Sequence, residues 1–271
     1  MTRLRKFFNR FQDEGYSKWI FIIPSVIMLA LFALPLIALI LRSIDSGFFK
    51  NAFSEQAFEA LKLSLVTSSV TTGIAFLFGT PLAYILARWK FKHKSWIEMI
   101  LDLPIVLPPS VAGLALLIAF GRRGLFGSTL GIFGISLPFT TAAVILAQTF
   151  VAAPLYIRSA RIGLAQVDIQ LEESAHVEGA NQWQLFSEVM IPLTRRALVS
   201  GAILTWTRAL GEFGATILFA GNLEGVTQTM PMAIYLGFEH NLGVALALSV
   251  VLIIVSVILL MITKKLEKHE D

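Results

Sequence analysis

Between residues 171 and 192 the chain reads Leu-Glu-Glu-Ser-Ala-His-Val-Glu-Gly-Ala-Asn-Gln-Trp-Gln-Leu-Phe-Ser-Glu-Val-Met-Ile-Pro, a polar segment between long apolar runs. A chain that crosses a membrane repeatedly rarely has so polar a loop without a partner for it. The segment predicts two short helices around Gly179. Asp168 can cap the first helix, and Glu172 and Glu173 suit the positive end of its dipole. Gly179 suits the left-handed position after that helix ends.

The second helix of this segment has its own start and stop signals. Asn181 and Gln184 form a capping-box pattern, and Pro192 is expected to limit the helix. Residues at i, i+3 and i+7 give this helix one apolar face, formed by Trp183, Phe186 and Met190. One interpretation is a helix that docks on a partner protein, and the other is a helix that lies on the lipid surface.

The same segment resembles a known family pattern. Glu173-Ser-Ala175, three residues, Gly179, nine residues and Val189-Met-Ile-Pro192 are similar to the EAA loop of type I ABC importer permeases, Glu-Ala-Ala-x3-Gly-x9-Ile-x-Leu-Pro. Ser174 replaces an alanine and Ile191 a leucine. In that family the loop forms a cytoplasmic coupling helix that docks into a groove of the ATPase subunit. The resemblance implies a coupling role for Glu173, Ser174, Ala175, Gly179, Trp183, Phe186 and Pro192.

Composition independently indicates a membrane protein. Of the 271 residues 56% are hydrophobic, the mean hydropathy is +0.74, and only 15% are charged, against about 25% in a typical soluble domain. The chain has no cysteine, so it has no thiolate metal site, and its four histidines show no metal-ligand spacing. It also lacks the glycine-rich phosphate loop of an ATPase. The resemblance to ABC importer permeases implies a transport subunit rather than an enzyme, with no cofactor of its own.

Six apolar runs are long enough to cross a bilayer, which predicts an all-α integral membrane protein. These runs are residues 19–41, 61–87, 96–120, 138–160, 197–220 and 241–263. The predicted division of the chain is a basic segment 1–18, a first helix with its outer loop 19–57, a permease core 58–263 containing the coupling loop 165–192, and a tail 264–271.

Basic residues predict the orientation of these spans. Most of the 22 lysines and arginines fall on one side of the predicted spans, namely Arg3, Arg5, Lys6, Arg10, Lys18, Arg88, Lys90, Lys92, Lys94, Arg158, Arg161, Arg195, Arg196, Lys264, Lys265 and Lys268. Since positive loops stay in the cytoplasm, both termini and the coupling loop are expected there. The same rule accounts for the net charge of +4 without a nucleic-acid partner.

Prolines interrupt the third predicted span. Pro104, Pro108 and Pro109 each remove a backbone donor and bend or break the helix. Freed carbonyls at membrane depth are tolerated only inside a bundle or beside water. This span therefore either lines a path or has a packing kink between helices. Asp102 is either an intramembrane carboxylate or an N-cap at the break.

The fifth predicted span contains an arginine and a glutamate. Arg208 and Glu212 lie at i and i+4, so they either pair with each other or one of them meets a substrate. Gly211 permits bending or close helix approach. Threonine hydroxyls can donate to a passing oxyanion without trapping it. The predicted pathway or gate residues are Pro108, Pro109, Thr205, Arg208, Gly211, Glu212 and Thr216.

Further motifs resemble the oxyanion branch of ABC importer permeases, with molybdate permeases the most similar. They are Arg208-Ala-Leu-Gly-Glu-Phe-Gly-Ala-Thr216, Ala220-Gly-Asn222, Thr227-Gln-Thr-Met-Pro-Met-Ala-Ile-Tyr235 and Gly121-Arg-Arg-Gly-Leu-Phe-Gly127. The resemblance implies import of molybdate, with tungstate possible in the same pathway, by alternating access in a prokaryotic cytoplasmic membrane. It also implies an ATPase subunit dimer carrying ATP and magnesium, an extracytoplasmic oxyanion-binding protein, and a second permease copy.

Three other functions stay open. The chain could be a permease for sulfate or thiosulfate, because tetrahedral dianions differ chiefly in size. It could also be a secondary transporter or ion channel that works without ATP, with Arg208 and Glu212 serving an ion path. A membrane-embedded enzyme is the third alternative, but the sequence offers no nucleophile–base constellation for it.

Overall fold

The computed structural model describes residues 14–45 and 47–268, and its regular structure is helical throughout that part of the chain. The helices are α1 (Glu14–Asp45), α2 (Phe48–Ala52), α3 (Glu55–Arg88), α4 (Lys94–Val106), α5 (Pro109–Phe120), α6 (Gly127–Ile132), α7 (Thr141–Gln166), α8 (Ile169–Val177), α9 (Gln182–Gln184), α10 (Ile191–Leu210), α11 (Gly214–Ala220), α12 (Met230–His240) and α13 (Leu242–Lys268). A π-helical turn, Leu185–Met190, joins α9 to α10. Residues 1–13 of the predicted basic segment and 269–271 of the predicted tail lie outside the described residues.

Four of the described helices are long and apolar enough to cross a membrane. They are α1, α3, α7 and α13, which correspond to the first, second, fourth and sixth predicted spans. Helices α4 and α5 together make a fifth candidate span, bent by 117° at a break. The prediction of an all-α membrane protein is confirmed. Against the predicted count of about six spans, the described residues contain four uninterrupted candidate spans, or five when the bent pair of α4 and α5 is counted as one.

The third predicted span, 96–120, is two helices rather than one. The amide of Leu107 still donates to the carbonyl of Leu103 at 3.0 Å, and the ladder then stops because Pro108 and Pro109 have no N–H. Pro109 begins α5, where a proline needs no donor. Asp102 lies inside α4, so it is not an N-cap at the break.

The fifth predicted span, 197–220, is also interrupted. Helix α10 begins earlier, at Ile191, and ends at Leu210, and α11 begins at Gly214 after a non-helical turn. The side chain of Glu212 starts the second helix, since its Oε1 accepts the amide hydrogen of Ala215 at 2.8 Å. A local side-chain acceptor thus replaces the backbone carbonyl that a continuous helix would have used.

Small residues let the central helices α3, α7 and α10 approach closely. An added Cβ on Gly79 of α3 would lie 3.0 Å from the side chains of Tyr156 and Ile157 on α7. A Cβ on Gly163 of α7 would collide with the side chain of Ala197 on α10. Such contacts are typical of helix packing in membranes, where van der Waals fit replaces the hydrophobic effect. The central bundle therefore consists of α3, α7 and α10.

Helix α1 differs from this bundle. None of the apolar window that qualifies α1 as a span is buried within the chain. Its large apolar side chains are exposed from Trp19 to Ile44, including Phe21, Leu29 and Phe32. This helix is therefore covered by lipid or by another subunit.

We expect Gly163→Leu to reduce thermal stability, because α7 and α10 would have to separate. Overpacking of this kind typically costs about 1–3 kcal/mol. The measurement is thermal unfolding in detergent, followed by tryptophan fluorescence. Gly73→Leu is the matched control, since Gly73 lies in α3 with no heavy atom within 4 Å of an added Cβ. Equal melting temperatures for the two variants would contradict the packing described here.

Candidate functional site

The coupling segment, residues 168–190, begins with the helix signals that the sequence predicted. The Oδ1 atom of Asp168 accepts the amide hydrogen of Gln170 at 2.9 Å and caps α8. Gly179 has φ +90°, the left-handed conformation predicted for it. The amide of Gln184 donates to Asn181 Oδ1 at 2.9 Å, and the amide of Asn181 donates to Gln184 Oε1 at 3.0 Å. The predicted cap and capping box are confirmed.

The prediction that Pro192 limits the second helix is wrong. Helix α9, the π-helical turn and α10 follow one another without a gap. The amide of Ile191 donates to the carbonyl of Phe186, five residues back, so the acceptor register shifts just before the proline. Pro192 then lies in the first turn of α10, where its missing N–H is not needed. The coupling segment is therefore continuous with α10.

The π-helical turn also changes which side chains face inward. Leu185 and Met190, five residues apart, are fully buried, whereas Trp183 is 71% exposed. Phe186 is half-buried and its ring packs edge-on against Tyr84 of α3, with 5.2 Å between centroids. The predicted apolar face of Trp183, Phe186 and Met190 is wrong for Trp183, which is exposed. The π-helical turn brings residues i and i+5 onto one face, so Leu185 lies with Met190 instead.

A largely buried ion pair fastens the coupling segment to the end of α3. Arg88 Nη2 lies 2.6 Å from Glu172 Oε1 and donates to the carbonyl of Val167 at 2.7 Å. The two charged side chains are only 12% and 16% exposed. A second pair, Arg161 Nη1 with Glu98 Oε1 at 2.5 Å, joins α7 to α4 at the same end of the bundle. Removing one partner of a largely buried pair leaves an uncompensated charge, which is costly.

Sequence reasoning missed the role of Arg88. In the sequence, Arg88 served only as one of the cations that predict the orientation of the spans, because its partner lies more than 80 positions further along the chain. The available signal was its place as the last residue of a long apolar run, where a charge can reach a neighbouring loop.

The remaining surface of the coupling segment presents apolar side chains outward. Val177 is 88% exposed and Ile169 is 61% exposed, in addition to Trp183. The predicted coupling residues Glu173 and Ser174 are exposed beside them, and Ala175 is half-buried against the core. An exposed apolar patch bordered by polar residues is typical of a protein-binding surface.

In the interrupted span, Arg208 and Glu212 pair with each other. Arg208 Nη1 lies 2.5 Å from Glu212 Oε2, and Glu212 is buried while the arginine side chain is 34% exposed. Both carboxylate oxygens of Glu212 are thus engaged within the chain, the second one by Ala215. The guanidinium presents the accessible part of the pair. A contact between Arg208 and a substrate stays a prediction.

The two helix breaks lie against each other. A Cβ on Gly214, the first residue of α11, would lie 2.7 Å from Pro109 Cβ, the first residue of α5. A Cβ on Gly113 would lie 2.7 Å from the carbonyl oxygen of Ala215. Pro108 and Pro109 themselves are exposed at the surface of the chain. The structure therefore brings Pro108 and Pro109 close to the turn of Gly211 and Glu212.

The two predicted pathway threonines are buried. Thr205 Oγ1 donates to the carbonyl of Ala152 on α7 at 3.2 Å, which makes it a contact between helices. Thr216 is also fully buried, and its hydroxyl has no hydrogen-bond partner among the described residues. Neither side chain lines open space in this conformation of the single chain.

A polar strip instead lies exposed on α10 and α3. Thr207 and Gly211 are exposed next to the partly exposed Arg208. The indole Nε1 of Trp206 donates to the hydroxyl of Ser69 on α3 at 3.1 Å. Polar and charged groups in mid-span are costly against lipid, so this strip faces water or another protein.

These features define a membrane-embedded transport subunit: spanning helices, two adjacent helix breaks beside a polar strip, and an anchored segment with an apolar outer surface. Residues 79–269 match the family described as "Binding-protein-dependent transport system inner membrane component", and the chain belongs to that family. The prediction of a transport subunit rather than an enzyme is confirmed.

Curated relatives match most of the chain. It is 37% identical over 253 residues to the probable transport system permease protein NifC of Clostridium pasteurianum, covering 93% of this chain and 88% of the relative. It is 38% identical over 244 residues to the molybdenum transport system permease protein ModB of Mycobacterium tuberculosis, covering 90% and 92%. The sulfate transport system permease protein CysW of Synechococcus elongatus is 35% identical over 206 residues, covering 75% and 72%. The predicted likeness to molybdate permeases is confirmed.

Solved structures confirm the fold. A bacterial alginate ABC transporter, solved in complex with an alginate pentasaccharide-bound periplasmic protein, gives a TM-score of 0.76 at 16% identity, covering 98% of both chains. The chain therefore has the predicted architecture of an ABC importer permease.

We expect Arg88→Gln to loosen the coupling segment, because Glu172 and the carbonyl of Val167 would both lose their partner. Amide hydrogen exchange of residues 167–178 should become about tenfold faster or more, because the free energy needed to open the segment locally decreases. The measurement is hydrogen-exchange mass spectrometry of the purified chain. Lys90→Gln, an exposed cation two residues away, should leave that exchange unchanged. Equal exchange in both variants would show that the ion pair does not hold the segment.

Proposed function

We propose that this chain is the membrane-spanning permease of an ATP-driven importer for molybdate, with tungstate as an alternative substrate. One observation carries the proposal. The coupling segment is anchored to α3, exposes apolar side chains on its surface, and is continuous with α10, the helix that bears the polar strip. Relatives named as molybdenum transport permeases support the substrate, since they match nearly the whole chain. The oxyanion motif around Arg208 and Glu212 agrees with an anionic substrate.

The proposed cytoplasmic partner is an ABC ATPase subunit dimer. The exposed apolar side chains of the coupling segment, Ile169, Val177 and Trp183, would be covered by a groove on each ATPase subunit. ATP and magnesium would bind on that partner. The distribution of lysines and arginines supports a cytoplasmic location for the coupling segment and both termini in the proposed importer.

The proposed assembly contains two copies of this chain. The polar strip on α10 and α3 cannot face lipid at low cost, and a second copy across a twofold axis would enclose it around a water-filled path. The second permease could be identical or homologous, and the identical copy is proposed because closed twofold homo-oligomers are common. An extracytoplasmic oxyanion-binding protein would deliver substrate to the opposite end of this path.

The proposed mechanism is alternating access. ATP binding closes the ATPase dimer, and the coupling segment moves with it. Leu185, Met190 and the pair of Arg88 with Glu172 transmit this motion to α3, and the continuous helix transmits it to α10. Because α10 ends at the two adjacent helix breaks, its tilt changes the opening between the two permeases. Hydrolysis and product release return the pathway to its inward-facing state.

The Arg208–Glu212 pair would let an oxyanion pass rather than bind it tightly. A free guanidinium at membrane depth would hold a dianion tightly in a low-dielectric environment. Glu212 neutralises most of this charge at 2.5 Å. Arg208 would then attract molybdate while still releasing it.

A sulfate importer is the second candidate, favoured by the sulfate permease among the relatives. The deciding experiment is ATP-driven uptake in proteoliposomes with the ATPase and binding protein. We expect molybdate uptake that tungstate inhibits and that a large excess of sulfate barely changes, because a binding site shaped for one dianion discriminates by size. Preferential sulfate uptake would transfer the assignment to the second candidate.

We further expect Gly179→Asp to reduce uptake strongly while leaving the protein in the membrane. Gly179 has φ +90° and no atom within 4 Å of an added Cβ, so the effect comes from backbone strain of about 1–2 kcal/mol rather than from a clash. Gly47→Asp is the matched control, with φ +77° and equally open space outside the coupling segment. Uptake and membrane content are measured together, and normal uptake by Gly179→Asp would disprove its coupling role.

A further inference from the structure

Two adjacent arginines lie in a turn at the end of the bundle opposite the coupling segment. This arginine turn, residues 121–127, joins α5 to α6. The chain then enters α7 at Thr141, and α7 runs for 26 residues to Gln166, beside the coupling segment. That helix is about 39 Å long at the usual helical rise. Arg122 and Arg123 are both exposed.

The backbone of the arginine turn is held in one conformation. A Cβ on Gly121, Gly124 or Gly127 would collide with backbone carbonyl oxygens of the turn or of the end of α5. The amide of Leu125 donates to Ile118 and the amide of Phe126 to Ala119, each at 2.9 Å. The rings of Phe120 and Phe126 stack with 5.7 Å between centroids. Glycine is required at these three positions because the chain folds back on itself.

The two guanidinium groups are not neutralised within the part of the chain that the structure describes. Arg122 donates from Nε to the hydroxyl of Ser136 at 3.2 Å, and neither Arg122 nor Arg123 forms an ion pair with a described carboxylate. Cations are also unusual at this end, because most lysines and arginines gather at the other end of the spans. A rigid, unpaired pair of arginines is therefore available to an anionic partner.

Exposed apolar side chains follow the arginines closely in the chain. Leu125, Ile132 and Phe133 are each at least 74% exposed. Arginine and aromatic side chains are both enriched in protein interfaces.

We propose that the arginine turn is a docking contact for an acidic patch on the extracytoplasmic binding protein, an inference that rests on the proposed function and orientation. The family is binding-protein-dependent, so a protein must approach this end of the chain. A preformed turn loses little conformational entropy on binding, and each guanidinium can bind a carboxylate through two parallel hydrogen bonds. Lipid phosphates would need no such fixed geometry, since flexible cations bind them equally well.

The test is the affinity of the binding protein for the complete transporter in lipid nanodiscs, measured at low and high salt. The double variant Arg122→Glu/Arg123→Glu should bind at least about tenfold more weakly at low salt. Its affinity should also depend less on salt than that of the unchanged transporter. Arg42→Glu/Lys50→Glu is the matched control, because it makes the same change in charge on exposed residues at the same end of the bundle. The control should change affinity less than about threefold, and basal ATP hydrolysis should be unchanged in both variants.

Three outcomes would overturn the proposal. The affinity for the binding protein could be unchanged in the double variant, or the control could lose as much affinity. The double variant could also change only how the transporter interacts with anionic lipid vesicles. The last result would assign the turn to the membrane surface. Uptake at saturating binding protein separates this proposal from the proposed function. Recovery of uptake in the double variant supports docking, whereas absence of molybdate uptake by the unchanged transporter would contradict the proposed function itself.

Discussion

Backbone groups inside a membrane must find their hydrogen-bond partners within the protein, and this constraint shapes the two helix breaks. Pro108 and Pro109 interrupt one ladder, and the turn after Leu210 interrupts the other. The second break is stabilised by Glu212, which binds both Arg208 and the first turn of α11. Gly214 packs directly against Pro109, so the two breaks lie at one location. The polar strip lies next to it.

A single helix connects this location with the coupling segment. From Ile191 to Leu210, α10 has 20 residues and is about 30 Å long. The π-helical turn before Pro192 keeps that helix continuous with α9, whereas an ordinary α-turn would clash with the proline ring. The pair of Arg88 and Glu172 adds a second connection, to α3. In the proposed importer, movement of the segment would therefore be transmitted to the breaks through these helices.

Local signals and distant contacts differ in how well the sequence predicted them. The cap at Asp168, the left-handed Gly179 and the box of Asn181 with Gln184 each depend on a few neighbouring residues, and the structure confirms them. The continuous helix at Pro192 depends on a register shift that no propensity encodes. The partner of Arg88 and the contact of Gly214 with Pro109 join residues far apart in sequence, so periodicity could not predict them.

In the proposed importer, motion of the coupling segment changes the separation of the helix breaks of the two permeases. The chain has no cysteine, so a single cysteine at the exposed Ser110 can carry a spin label beside the break. Electron paramagnetic resonance would measure the distance between the two labels, with and without ATP and vanadate. We expect the distance to shift on nucleotide trapping and Arg88→Gln to abolish most of that shift. An equal shift in that variant, or no dipolar coupling between two labels, would contradict it.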